Sequence, residues 1–248
     1  TEKLVNEWIE EKKIEIKYIK KINEGKHIAI NKAVECCKNK YMLCLDSDDI
    51  LVNNAIEELY NLLKSNSMDK IWAIVGPRAF FQKNKEVNWP QKLGEIKISK
   101  LCYLYDKYKY KGETYLLWNL AYLKEYMFPK FENENFIPED LLYSEMDMRY
   151  NVLLYNKPLY IFEYQTDGYT KSGIKMLIKN PNGHAFVNLE KSRKKIYSYK
   201  TRILSYARYK AMKKNFGLYN EKLYKKNKNI IVTFWGCILS SIFYINYK

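Results

Sequence analysis

Tyr41-Met42-Leu43-Cys44-Leu45-Asp46-Ser47-Asp48-Asp49 is the stretch on which the fold turns. An unbroken apolar run of this length, too short for a helix, reads as a strand buried on both faces of an α/β sheet. Three carboxylates follow at its carboxyl end, the place where open α/β sheets bind their ligands. Asp46 and Asp48 are two residues apart and share a face of an extended chain. Crowded like charges repel, and a divalent cation relieves them; hard oxygen ligands of this kind suit Mn²⁺ or Mg²⁺ shared with a diphosphate. A turn with Asp49 opening the next helix accounts for the same residues without any ligand.

Outward from this stretch, helical and extended patterns alternate. Residues 4–11 place Leu4, Val5, Trp8 and Ile9 at helical spacing, and Ile14, Ile16 and Tyr18 then alternate with charged residues as in a half-buried strand. Asn23-Glu24-Gly25 breaks the chain before a helix that would turn Ala29, Ala33, Val34 and Cys37 inward. On the carboxyl side, Asn53 can cap a helix facing Ile56, Leu59, Leu62 and Leu63 to the core, and residues 71–75 form another buried strand. Residues 83–95 read as a loop or hairpin over the site, 115–120 as a strand and 123–126 as a short helix ended by Pro129. A helix over 138–155 and a strand over 159–164 follow. This rhythm predicts an α/β fold with a largely parallel sheet.

Composition narrows the function. The chain has 248 residues and a net charge of +15, but the charge is not spread evenly. Residues 191–248 carry 15 Lys and Arg against one acid, Glu221, leaving residues 1–190 at +1. Cys36, Cys37, Cys44, Cys102 and Cys237 are odd in number and form no CxxC, which points to reduced thiols and a cytoplasmic setting. His27 and His184 are too few for a histidine-built zinc site.

Asn23-Glu-Gly-Lys26, Ala29-Ile-Asn31 and Tyr41-Met-Leu-Cys-Leu-Asp46-Ser-Asp48-Asp49 together resemble the N-x-G-K, A-x-N and DxD block of family 2 glycosyltransferases. A second block agrees: Phe128-Pro129-Lys-Phe131-Glu-Asn-Glu134-Asn-Phe136-Ile-Pro138-Glu139, then Lys157-Pro158-Leu159-Tyr160 and Asp167-Gly168. It is similar to a bacterial subgroup that builds surface polysaccharides. The resemblance covers about residues 1–190. It implies an inverting, nucleotide-diphospho-sugar transferase of the GT-A type, a mixed sheet flanked by helices, and addition of one sugar at a time, since QxxRW is absent.

The resemblance also assigns roles. Asn23, Gly25, Lys26, Asn31, Asp46 and Asp48 would bind the nucleotide sugar, probed best with UDP. Asp48, with Asp46 and Asp49, would hold Mn²⁺ or Mg²⁺. Glu139 or Asp140 would be the general base that deprotonates an acceptor hydroxyl on a glycan or lipid-linked acceptor; both acids also suit the first turn of a helix. Ile30 stands where many relatives carry Arg. The family's opening V-x-V-I-I-P-x-Y-N strand and D-D-G-S-x-D turn are not in this sequence, so the resemblance implies an N-terminally truncated domain over 1–190, either a fragment or a chain inactive alone.

Residues 191–248 then form a basic, aromatic-rich helical tail. Residues 230–245 carry no charge and as a helix would span about 24 Å, short of the roughly 30 Å bilayer core. Thr233, Gly236 and Ser240 fall on one side, and Phe234, Trp235, Ile238 and Phe243 elsewhere. Basic residues beside such a helix predict peripheral attachment to an anionic membrane surface, at the inner face of the cell membrane. A nucleic-acid partner would need only the tail and leave Asp46 and Asp48 without a use, and a nucleotidyltransferase would need a Gly-rich phosphate loop that is absent.

Overall fold

One long strand, Ile71–Phe81, organises the chain. The computed structural model describes residues 1–81, 87–88, 97–162, 169–218, 224 and 226–246. The helices are α1 Glu2–Glu11, α2 Lys26–Cys36, α3 Ala55–Ser65, α4 Leu101–Asp106, α5 Leu120–Leu123 and α6 Asp140–Arg149, then α7 Tyr169–Lys179, α8 Pro181–Arg193, α9 Tyr199–Phe216 and α10 Ile230–Asn246. The strands are β1 Tyr41–Leu43, β2 Ile50–Leu51, β3 Ile71–Phe81, β4 Val87–Asn88, β5 Ile98–Ser99, β6 Thr114–Asn119, β7 Asn151–Leu154 and β8 Tyr160–Phe162.

The sheet runs β1-β6-β3-β7-β5, and the distal half of β3 also pairs with β4 and β8. Only β3–β7 and β3–β8 are parallel; β1–β6, β3–β6, β5–β7, β2–β8 and β3–β4 are antiparallel. The sheet is therefore mixed, as the GT-A resemblance implies, and not largely parallel. Alternation along the strands builds two apolar layers. Leu116, Trp118, Val152 and Leu154 face a core with Ile30 and Val34 of α2 and Leu142 and Met146 of α6. Tyr115, Leu117 and Leu153 face the other layer, with Ala55 and Leu59 of α3. Helices α8 and α9 enclose a third cluster around Ala185, Leu189 and Met212.

Several local expectations are corrected. No strand forms over 14–18; Ile14 is 72% exposed and α1 buries none of its residues. Alternation alone does not make a strand where no neighbour among the described residues offers a ladder. Helix α2 turns His27, Ile30 and Val34 inward, while Ala29 and Ala33 are exposed. Strand β1 is a half-buried edge strand among the described residues, with Leu45 exposed. Asn54, not Asn53, precedes α3, and Ile56 faces solvent. The short helix α5 begins three residues earlier than expected. The helix expected over 138–155 ends at Arg149, and Asn151–Leu154 is the parallel strand β7. The segment 83–95 lies outside the described residues except for β4, as do residues 163–168. The charge shift at residue 190 falls inside α8, which packs on both α6 and α9.

Candidate functional site

Gly25 sets the geometry. Its φ of 90° is open to glycine at little cost, and a Cβ there would lie 1.8 Å from the carbonyl oxygen of Asn135. The Asn23 side chain accepts a hydrogen bond from the Gly25 N–H at 3.1 Å and shapes this entry. Lys26, the first residue of α2, is thereby aimed at two acids. Its Nζ lies 2.9 Å from both carboxylate oxygens of Asp46 and 3.1 Å from Oε1 of Glu139. Burial works against the Lys26 ammonium, but Glu139 and Asp46 outweigh it and hold its pKa above the ordinary lysine value. One cation thus joins the DxD turn to the candidate base pair.

The turn 46–49 is held from the sheet. Tyr160 of β8 donates its hydroxyl to Asp49 at 2.7 Å and accepts the Asp46 backbone N–H at 3.0 Å. The guanidinium of Arg78, from β3, stacks 3.9 Å above the Tyr160 ring. Partial burial raises the Asp49 carboxyl pKa, an effect Tyr160 and Arg78 oppose. Asp48 is exposed. Among the described residues, no group of three or more His, Cys, Asp or Glu is gathered to hold a metal ion. With Asp46 engaged by Lys26 and Asp49 by Tyr160, the donor set does not make an all-protein cage. It does fit Mn²⁺ or Mg²⁺ held by one or two carboxylates with a diphosphate completing the shell, the usual mode for these ions.

Glu139 and Asp140 begin α6 but have different surroundings. Glu139 accepts a 2.5 Å hydrogen bond from the Tyr143 hydroxyl besides its Lys26 contact. Asp140 pairs through Oδ2 with Lys191 of α8 at 3.0 Å, while its buried Oδ1 has no hydrogen-bond partner. Both line a cavity of about 460 Å³ with Lys26, Arg78, Tyr143 and Lys191. The indole N–H of Trp118 and Nε of Arg78, on the same cavity wall, are likewise buried and unpartnered. Such a set of unsatisfied donors and one free acceptor suits a polar ligand.

Of the residues expected at the site, Lys26, Glu139 and Asp140 line the cavity; Asn23, Gly25, Asp46, Asp48 and Asp49 do not, and Asp46 is tied to it through Lys26. The Asn31 amide accepts the Phe128 N–H and donates to the Phe128 carbonyl, both at 2.9 Å, so it clasps the loop before α6 and does not line the cavity. Glu134 of the second motif caps α8, accepting the N–H groups of Asn182 and Gly183, each at 2.7 Å. Sequence reasoning missed Arg78, Trp118, Tyr143, Tyr160 and Lys191 as site residues. Of these only Tyr160 had a signal, its place in the Pro158-Leu159-Tyr160 motif. Lys191, Tyr197 and Thr201 line the cavity although they fall beyond the charge shift at residue 190.

The model of "Glycosyl transferase family 2" matches residues 1–130 of the chain. A curated relative, poly(ribitol-phosphate) beta-N-acetylglucosaminyltransferase TarP of Staphylococcus aureus (strain N315), is 33% identical over 78 residues. That match covers 28% of this chain and 24% of TarP. Among solved structures, S. aureus TarS 1-349 superposes with a TM-score of 0.53 at 13% identity, over 89% of this chain and 60% of that one. TarS 1-349 in complex with UDP-GlcNAc also gives 0.53 at 13% identity, over 86% and 60%. This chain therefore spans less than two thirds of these relatives, 24% of TarP and 60% of TarS 1-349, and at such identity the TarS likeness concerns the fold.

Proposed function

Because the chain belongs to glycosyl transferase family 2, we propose that it moves a sugar, with inversion, from a nucleoside-diphosphate donor to a hydroxyl of a glycan or lipid-linked acceptor in surface polysaccharide synthesis. The observation that carries this reading is the Lys26 bridge, which ties Asp46 of the DxD turn to Glu139 of the acid pair beside one cavity. The fold shared with TarS in its UDP-GlcNAc complex and the name of TarP support a UDP-linked donor.

Asp140 is the better general base. A base needs a lone pair facing the proton it removes; Asp140 keeps one oxygen unbonded, whereas both oxygens of Glu139 are engaged. The acceptor hydroxyl gives its proton to Asp140 Oδ1 as its oxygen attacks the anomeric carbon, and the nucleoside diphosphate leaves from the opposite face. Lys26 and Arg78 supply fixed positive charge for the departing diphosphate. Asp48, with Asp46, would hold Mn²⁺ or Mg²⁺, which when bound neutralises that diphosphate.

Isothermal titration of UDP and of GDP, with Mn²⁺ and with EDTA, tests the donor half of the reading. UDP binding that requires Mn²⁺ and disappears in Asp48→Ala is expected. Binding unaffected by either change would sink the assignment of the DxD turn.

A further inference from the structure

The geometry points to α10 as an in-plane membrane foot that seats the molecule on an anionic lipid surface. The helix is amphipathic in an unusual sense, because it packs by its small side. Val232 is buried and Gly236 lies against Tyr206 of α9, where an added Cβ would meet that ring at 2.7 Å. Phe243, expected on the outer side, instead turns inward beneath the Arg208 guanidinium, 5.0 Å from its ring centroid. The bulky side is left outside. Ile231, Phe234, Trp235, Ile238 and Ile242 recur at helical spacing and are each at least half exposed.

Length and charge select the occupant. No helix among the described residues is long and apolar enough to cross a membrane, so α10 would lie in the interface, where Phe and Trp are favoured. Exposed lysines flank it at both ends: Lys226 and Lys228 precede it, and Lys213 and Lys214 of α9 stand beside its far end, with Lys214 over the Tyr244 ring at 4.3 Å. A second copy of the chain would bring together two segments that each carry fifteen bases and one acid, and like charge opposes that contact. Nucleic acid satisfies the lysines but offers nothing to the apolar stripe. An anionic bilayer satisfies both. The foot packs on α9, and α9 supplies Thr201 to the cavity wall, so the two share one element.

The test is flotation of the full chain with phosphatidylcholine vesicles, with and without phosphatidylglycerol, at low and high salt. Flotation is expected only with phosphatidylglycerol and is expected to fall with salt. The double variant Trp235→Ser/Ile238→Ser should lower partitioning by tenfold or more, judging from the apolar area removed. Both side chains are exposed, and an unchanged thermal melt verifies folding; Ile242→Ser gives a second, milder probe if it does not. Equal flotation of wild type and variants, or no flotation with phosphatidylglycerol, overturns the inference. So does a wild-type dimer in light scattering that the variants dissolve while vesicles stay unbound.

Discussion

The two acidic turns of the site, 46–49 and 139–140, are built on opposite plans. The first is fastened from below by the sheet, through Tyr160 and Arg78, and leaves Asp48 open to solvent. The second is fastened from the helical layer, through Tyr143 and Lys191, and keeps one carboxylate oxygen of Asp140 buried and unbonded. An open carboxylate on a rigid turn suits a ligand that comes and goes with the donor. Asp140, its side chain 42% exposed and one oxygen free of hydrogen bonds, suits proton transfer from a bound hydroxyl. Lys26 touches both turns and, among the described residues, is the one cation that couples them directly.

The sharpest way to break this contrast is to exchange the roles of the adjacent acids. Asp140→Asn is expected to lower kcat by roughly 10²–10⁴-fold, and Glu139→Gln by only about tenfold, through loss of a charged hydrogen bond. Steady-state kinetics giving the reverse order would make Glu139 the base. Next in size is Gly25→Ala, which places a methyl group on the Asn135 carbonyl and strains a positive φ. A loss on the order of 3 kcal/mol is expected, seen as a thermal midpoint lower by about 6–12 °C. Asp48→Asn should weaken Mn²⁺-dependent UDP binding by about ten- to a hundredfold without moving that midpoint; calorimetry and a melt together check it. Smallest is Tyr160→Phe, which frees Asp49 and the Asp46 N–H at about 1–2 kcal/mol. It should loosen donor binding while leaving the Asp140-dependent step intact, so a kcat effect without a KM effect would contradict the division of labour.

The sequence carried the turn 46–49 better than its surroundings. The apolar run before Asp46 marks a strand correctly, but not that β1 stands at an edge among the described residues with Leu45 exposed; a run of five residues reports hydrophobicity and says nothing about neighbours. Residues 138–155 read as one helix because Leu141, Leu142, Met146, Val152 and Leu153 run on without a breaker. The switch from α6 to β7 at Tyr150 is decided by the vacancy beside β3, a tertiary fact. Lys26 was legible through motif spacing, and the structure places it between Asp46 and Glu139. Arg78, Tyr143 and Lys191 were not, since each reaches the site from a different element and no local pattern joins them. Asn31 shows the converse: a motif residue whose amide is spent on holding Phe128.

The order of strands has a consequence for how the chain is made. β1 finds its ladder partner in β6, and the parallel neighbours of β3 are β7 and β8. During synthesis from the amino terminus, the DxD strand therefore waits unpaired for some seventy residues, and the centre of the sheet waits about as long again, for β7 and β8. Pairings so distant in sequence close slowly, and apolar strands left waiting are the segments that aggregate. Production at low temperature with an abundant holdase should therefore raise the soluble yield more than any change to the helical layer.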